Sequence, residues 1–451
     1  MEDIRIEDRV EILRKLIGEK DYKAIRQELS ALHPSDIAEI IDEMSAEERV
    51  ILIRVMPKDQ AADVFSYLSA QSQINLASSM NESLMKYIFN ELYFDDKIDF
   101  LEDIPANFVR TLIAYAPAEE RNMINQFLNY PENSAGSLMT IEYVDLRKSM
   151  TVKEALERVK ATGMDKETIY TCYVLDQTKK LEGIVSLRKL VLSNTEATIE
   201  EIMDKDFFCA HAGDDQEEVA ETFKKYDLSA LPVVDGENRL IGIITVDDIL
   251  DVIEQETTED FEKMAAMAPS DEEYLEASVF KLAKARIVWL LVLMISATFT
   301  GGIITHFEEL LSTAVILTAF IPMLMDTGGN AGNQSSTLII RGMALGQIER
   351  RDWSTVLWKE VRVSLVAGSI LALVNTARML LFSQATLLVT ITVSITLLCT
   401  VVLAKIIGGL LPIAAKALKL DPAIMAGPLI TTIVDAISLI IYFTIAGVLV
   451  L

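Results

Sequence analysis

Asp435 closes the tract Asp421-Pro-Ala-Ile-Met-Ala-Gly-Pro-Leu-Ile-Thr-Thr-Ile-Val-Asp435, fourteen residues beyond Asp421. On a helix that separation is about 21 Å, so the carboxylate sits deep in an otherwise apolar stretch. An acid at membrane depth costs roughly 2.5–3.5 kcal/mol on insertion scales and usually marks an ion path. Thr431 and Thr432 share its helix face through i+4 and i+3 spacing. A second tract, Phe320-Ile-Pro-Met-Leu-Met-Asp-Thr-Gly-Gly-Asn-Ala-Gly-Asn-Gln-Ser-Ser-Thr337, sets amides in an apolar background. Asn330, Asn333 and Gln334 supply oxygens that could line a cation path. Pro322, Gly328, Gly329 and Gly332 would disturb a helix. Irregular backbone at membrane depth is tolerated only against protein or a water-filled cavity. A tight packing site of small residues would explain the glycines, but not the amides.

A third concentration is acidic: Asp247, Asp248, Asp251, Glu254, Glu256, Glu259, Asp260 and Glu262. Such a run is ordinarily a solvated face. Asp95, Asp96, Asp99 and Asp227 lie on neighbouring segments, and facing carboxylates repel unless a cation sits between them. Mg²⁺ takes one or two carboxylates and keeps several waters, which suits a loose acidic interface.

The elements that must position these groups divide by charge. The chain has 451 residues, 51% of them hydrophobic, and a net charge of −26. Residues 1–283 carry 59 acids against 30 Lys/Arg, while residues 284–451 carry eight acids against eleven bases. A strongly acidic soluble part is thus joined to an apolar part with few charges. That excludes a simple soluble enzyme, and it argues against nucleic-acid binding, which needs a basic footprint. Cys172, Cys209 and Cys399 are too far apart for a disulfide framework or a zinc site. The opening MEDIRIEDRVEILRK lacks an apolar core, so no secretory signal is expected and the first part should stay in the cytoplasm.

A spanning helix needs about 20 predominantly apolar residues. Five candidates follow one another, at about 286–305, 311–340, 361–382, 386–411 and 423–450, the second interrupted by polar residues. Orientation follows from Lys/Arg placement. Lys281, Lys284 and Arg286 precede the first span. Arg341, Arg350, Arg351, Lys359 and Arg362 lie between the second and third. Lys405, Lys416 and Lys419 lie around the fourth-to-fifth connection. The connections at His306–Glu309 and Ser383-Gln384 are poor in bases. The N-terminus is then cytoplasmic and the C-terminus external, in a 283–451 pore domain buried in the lipid bilayer.

Residues 1–130 carry a period of twelve: Leu32, Met44, Met56, Leu68, Met80, Leu92, Ile104 and Ala116. A cap or turn residue often follows, as at Ser45, Pro57, Ser69, Asn81, Pro105 and Pro117, and such residues start helices. Twelve residues make one short helix and a turn, which stack into an α-helical solenoid. Residues 137–200 and 201–255 look duplicated. Ser137-Leu-Met-Thr and Glu201-Ile-Met-Asp open the copies, a helical pattern follows, then a strand and turn at Tyr170–Asp176 and Ala230–Asp235. Gly183-Ile-Val-Ser and Gly242-Ile-Ile-Thr-Val-Asp-Asp248 close them. This α/β tandem resembles a pair of CBS modules, which often bind adenosine nucleotides such as ATP between the copies. Tyr170, Ser186, Thr245 and Asp248 fit the contacting pattern, although Lys189 stands where the first copy would place an acid. A pseudo-symmetric module without ligand fits equally. Residues 246–282 read as one long acidic helix, with 256–282 connecting to the membrane.

The whole order of helical solenoid, CBS pair, acidic connecting helix and five spans resembles the MgtE family of magnesium channels. The motifs that carry the resemblance are Pro322…Gly-Gly-Asn-Ala-Gly-Asn-Gln334 and Asp421-Pro…Gly-Pro…Thr-Thr-Ile-Val-Asp435. It implies a homodimer with the pore at the subunit interface and Asp435 holding hydrated Mg²⁺. It also implies that cytosolic Mg²⁺, bound between acidic domains, closes the pore. The implied sensing acids are Asp227, Asp248, Asp251, Glu256, Glu259 and Asp260, with Asp421 at the cytoplasmic mouth and Asp59, Glu91 and Asp95 in the first domain. A proton-coupled divalent-cation transporter and a membrane-tethered metal or nucleotide sensor remain as rival expectations.

Overall fold

The structure is a computed structural model describing residues 6–270, 274, 277–383, 385–425 and 427–450. Residues 1–5 and Gln384 of the expected Ser383-Gln384 connection lie outside these, as do residues 271–273, 275 and 276 of the expected connecting helix. The chain forms two compact units, Met1–Ile253 and Glu254–Leu451.

The first unit opens with ten short helices: α1 (Ile6–Glu19), α2 (Tyr22–Leu29), α3 (Pro34–Asp42), α4 (Ala46–Val55), α5 (Lys58–Ser66), α6 (Ala70–Ser79), α7 (Glu82–Glu91), α8 (Phe94–Asp103), α9 (Ala106–Ile113) and α10 (Ala118–Phe127). From α3 on, each begins twelve residues after the last. The cause is local. Ser45 and Glu48 form a reciprocal capping box, and the Asn81 side chain accepts from the Leu84 amide, each satisfying a donor that the helix leaves unpaired. Of the periodic apolar residues, Met44, Met56, Leu68, Leu92, Ile104 and Ala116 are buried. Helices two apart pack together, α3 on α5, α5 on α7, α4 on α6 and α6 on α8.

A short α11 (Ala135–Leu138) leads into the tandem. The first copy contains β1 (Val144–Leu146), α12 (Val152–Thr162), β2 (Thr171–Leu175), β3 (Leu181–Ser186), α13 (Leu187–Leu192) and α14 (Ile199–Ile202). The second contains β4 (Ala210–His211), α15 (Gln216–Tyr226), β5 (Ala230–Val234), β6 (Leu240–Thr245) and the start of α16 (Val246–Met264). In both sheets the first pair is parallel and the second antiparallel, and Thr171 faces Ser186 as Ala230 faces Thr245. A register shift falls at the same step, Val174/Leu175 and Val233/Val234. Tyr173 and Leu175 pack on Leu240 and Ile243, so the copies share a small core.

The acidic helix is shorter than the sequence suggests. α16 stops at Met264 rather than running to residue 282. Ala266 turns to φ +54, the Met267 amide donates to the Glu262 carbonyl, and Pro269 follows. A left-handed residue bonded back across the last turn is a helix stop, and proline cannot continue the helix.

The second unit then has α17 (Val279–His306), α18 (Glu308–Thr313), a 3₁₀ segment (Val315–Phe320), α19 (Ile321–Ala344), α20 (Trp353–Phe382), α21 (Leu387–Ala417) and α22 (Gly427–Leu449). Among the described residues four stretches are long and apolar enough to cross a membrane by length and composition: Val279–His306, Arg350–Phe382, Leu387–Ala417 and Ala423–Leu449. The expected 311–340 span is not a fifth of that kind. Its first third is 3₁₀ and short helix, and its remainder is the amide-rich α19. The break precedes Pro322. Through Gly328, Gly329 and Gly332 the helix is continuous, so the expected disturbance at the glycines does not occur.

Candidate ion path and acidic sites

Glycines in α19 act as sockets. A Cβ on Gly328 would meet Thr400 and Val434, one on Gly332 would meet Ile430, and one on Gly408 would lie 2.1 Å from the Gly332 carbonyl oxygen. Here α19 and α21 touch backbone to backbone, as small residues allow inside membranes. Gly408→Ala is therefore expected to force these helices apart and destabilise the protein by about 1–3 kcal/mol. A lowered melting temperature in detergent checks this.

The close fit brings the two chemistry-bearing tracts together. Asn333 Nδ2 donates to Thr431 Oγ1 at 3.2 Å. Thr431 and Thr432 give their own protons to the Gly427 and Pro428 carbonyls, at 3.1 and 2.9 Å, so each hydroxyl oxygen is left to act as an acceptor, as Thr431 does for Asn333. Asn333 Oδ1 and Asp435 Oδ1 are both buried oxygens without a hydrogen-bond partner. Such orphan acceptors are costly, and a cation would satisfy them. Asn330 and Gln334 lie on the exposed side of α19. There Asn330 Nδ2 donates to Asp326 Oδ1 at 3.2 Å. Asp326, close enough to repel Asp435, was missed by sequence reasoning. Its signal was present: Asp326, Asn330 and Gln334 recur every four residues along one face.

Lys405 departs from expectation. It is not at the cytoplasmic connection but inside α21, only 7% exposed, with its ammonium on Ser335.

The acidic residues form two groups, one in each unit. In the first unit α8 presents Asp95, Asp96 and Asp99 to Asp247 and Asp248 at the start of α16, and to Glu142 and Glu167 of the first CBS copy. Burial first, and then mutual repulsion, pushes Asp95 up to about 6, Asp248 and Glu142 to about 7, and Asp96 and Glu167 to about 8. Asp99, at the rim of the cluster, is raised by the protein packed around its carboxylate and then by the charges of Asp95 and Asp248. Lys97, the lysine of α8, is turned to Glu120 at 2.8 Å. Glu142 Oε2 and Glu167 Oε2 are buried without a hydrogen-bond partner. Neither glutamate was legible from sequence, because both sit in loops that only packing brings to α8. Asp59 and Glu91 each lie near Tyr87, not in this cluster. Asp227 is the left-handed cap of α15. Asp251 follows on α16, within the first unit.

In the second unit Glu256, Glu259, Asp260 and Asp421 gather around Lys263. Its Nζ lies 2.6 Å from Glu259 and 2.8 Å from Asp421. Burial opposes its charge, but these two partners hold Lys263 above its ordinary range. Burial and the Asp421 charge push Asp260 up to about 6. Among the described residues no three such side chains converge closely enough to cage a metal ion directly.

The nucleotide candidates separate. Tyr170 and Ser186 line a groove of about 700 Å³ with Thr171, Leu187, Arg188 and Ser229. Thr245 and Asp248 do not line it. Thr245 Oγ1 donates to Asp248 Oδ2 at 2.6 Å, and Asp248 belongs to the acidic cluster. Lys189 is paired with Asp204 at 2.6 Å.

A helical array and a tandem CBS pair, followed by an apolar helical unit with orphan acceptors, have the make-up of a cation transporter. Comparisons with known proteins agree. The divalent cation transporter family MgtE matches residues 321–445, the MgtE intracellular N domain matches 32–133, and CBS domains match 135–193 and 199–255. The chain is 37% identical over 441 residues, 97% of each chain, to the magnesium transporter MgtE of Thermus thermophilus. It is 33% identical to that of Bacillus subtilis, over 96% of each. The crystal structure of the cytosolic domain of the Mg²⁺ channel MgtE in complex with ATP, 37% identical, covers 53% of this chain and 98% of its own, with a TM-score of 0.52. The chain belongs to the MgtE family.

Proposed function

We propose that the chain is a magnesium channel that admits Mg²⁺ across the cell membrane and closes when cytosolic Mg²⁺ binds its acidic sites. The carrying observation is the pair of orphan oxygens, Asp435 Oδ1 and Asn333 Oδ1, at the contact of α19 with α22. Mg²⁺ dehydrates reluctantly, so it passes with its water shell, held by Asp435, Thr431, Thr432, Asn333 and, on the open face, Asn330, Gln334 and Asp326. Two copies complete the path: those exposed acceptors face a partner across a two-fold axis. Five helices then cross the bilayer, α19 as the least apolar, with the N-terminus inside and the C-terminus outside. An inside-negative potential drives entry, at about 2.3 kcal/mol per charge per 100 mV and twice that for a dication. Tracer Mg²⁺ uptake into proteoliposomes, with potential and pH gradients set independently, tests this. Flux that follows potential and ignores the pH gradient is expected, whereas flux that requires the gradient means proton coupling.

In the first unit the sensing acids are Asp95, Asp96, Asp248, Glu142 and Glu167, with Asp99 at the rim, Asp251 three residues beyond Asp248, and Asp227 apart from them as the cap of α15. In the second they are Glu256, Glu259, Asp260 and Asp421. Asp59 and Glu91 offer a further pair. Raised carboxylate pKa values set the sign of the pH response. Metal-free, the folded state holds more protons than the unfolded one, so these groups stabilise it most below about pH 4, and that stability is lost as pH rises towards 8. Mg²⁺ reverses the loss by favouring the ionised forms. Two results are expected: Mg²⁺ added near pH 7 releases protons into a weak buffer, and thermal stabilisation by Mg²⁺ is larger at pH 8 than at pH 5. A titration that moves no protons removes this cluster as the sensor.

ATP fits the CBS groove. Tyr170 can stack on a base, Ser186 can bond the sugar, and Arg188 supplies a cation for phosphate. The boundaries that go with this reading are a helical domain over 1–130, CBS copies over 137–200 and 201–255, a connecting segment over 256–282 and a pore domain over 283–451.

A further inference from the structure

Lys405 is a cation buried in the membrane domain to which the permeation path gives no role. It lies twelve residues from the end of α21 at Ala417, about 18 Å, which is beyond the reach of a lysine stem that would otherwise extend its ammonium to water. Instead Nζ donates to Ser335 Oγ at 3.3 Å, and Ser335 Oγ donates to Glu360 Oε2 at 2.6 Å. Ser335 is 1% exposed. One hydroxyl, accepting on one side and donating on the other, thus joins a cation on α21 to an anion on α20 through a residue of α19. Adjacent glycines make room for the assembly. A Cβ at Gly409 would meet Glu360 Cγ at 3.0 Å, and Gly408 admits the Gly332 carbonyl. Ser335 follows Asn333 by two residues, and Asn333 is bonded to Thr431 of the Asp435 helix.

We infer that Lys405, Ser335 and Glu360 form a positioning relay for permeation: an ion pair bridged by a hydroxyl that fixes α19 against α20 and α21, and so sets where its amides stand opposite α22. This rests on the magnesium-channel reading above. Charges inside a membrane are costly and are kept where function needs them. Stability alone does not require this pair, because replacing both members of a buried ion pair by apolar residues of similar volume is often neutral or stabilising, whereas removing one member is strongly destabilising.

That asymmetry provides the test. Lys405→Met, Glu360→Met, the double variant and Lys405→Arg are reconstituted as full-length protein. Melting temperature, Mg²⁺ uptake and the ratio of Mg²⁺ to Ca²⁺ flux are measured for each. The single Met variants are expected to melt earlier. The double variant should regain the wild-type melting temperature and still lose Mg²⁺ uptake by about tenfold to a hundredfold, the order that an ångström of misplacement costs a positioned site, with an altered flux ratio. Lys405→Arg, which keeps the charge and a donor for Ser335, should keep the wild-type ratio. A double variant with wild-type uptake and flux ratio overturns the inference, as does a Lys405→Arg protein whose ratio changes like that of Lys405→Met. Absence of Mg²⁺ uptake in the wild type would instead overturn the channel reading itself.

Discussion

Asp435→Ala is expected to abolish Mg²⁺ uptake while leaving the protein folded. Its Oδ1 has no hydrogen-bond partner in the protein, so the substitution strands no donor, and it removes a charge that costs roughly 2.5–3.5 kcal/mol at membrane depth. Thermal stability should therefore be unchanged or higher. Uptake into proteoliposomes should fall to the background of empty vesicles. Near-normal uptake would remove Asp435 from the path. Asp435→Glu should also conduct poorly, because a longer side chain intrudes on a passage sized for a hydrated ion. Asp326→Asn should have a milder effect, since Asp326 is exposed and already hydrogen-bonded by Asn330.

The second large effect is on gating. Replacing Asp95 and Asp248 together by Asn should raise the half-inhibiting cytosolic Mg²⁺ concentration about tenfold or more, the usual span of a coupling free energy. Two opposite results are conceivable at the outset. If repulsion alone opens the channel, neutralisation closes it. If Mg²⁺ bridges hold the closed state, neutralisation frees it from Mg²⁺. Burial of Asp95, together with the unpartnered Glu142 and Glu167 oxygens beside it, favours the second, because the double Asn variant leaves those glutamates without a bridging ion. Limited proteolysis gives an independent readout. The wild-type protein should become more resistant as Mg²⁺ rises, and the double variant much less so. Unchanged inhibition together with identical digestion at every Mg²⁺ concentration would remove the cluster from gating.

Much of the fold was legible because its signals are local. A period of twelve needs only a cap and a short apolar face, and helices begin at that interval from Pro34 to Ala118. The CBS duplication was readable from two similar strand–turn segments, and its parallel and antiparallel pairings repeat with them. Asp435, Thr431 and Asn333 were legible from residue type in an apolar background. Three things were not. The end of α16 depends on Ala266 adopting a left-handed backbone, which alanine does not advertise. Glycines in α19 read as breakers, yet four neighbours, Thr400, Ile430, Thr431 and Val434, fill the space where the side chains of residues 328, 329 and 332 would be. Lys405 read as one of the bases around the fourth-to-fifth connection, because its partners Ser335 and Glu360 lie 70 and 45 positions away and only tertiary packing joins them.

One junction has a mechanical consequence. Gly427, the first residue of α22, adopts φ +49, and a Cβ there would lie 2.4 Å from the Met264 carbonyl oxygen. The last turn of α16 thus abuts the foot of the helix that carries Asp435, while Lys263 hooks the same turn to Asp421. Eight residues separate Gly427 from Asp435, about 12 Å of uninterrupted helix, and a helical rod carries axial load with little give. Bare backbone at the contact leaves no side chain to act as a cushion. A thrust along α16 would therefore reach the carboxylate with little loss, like a piston seated on its rod, and any side chain at position 427 would wedge the stroke.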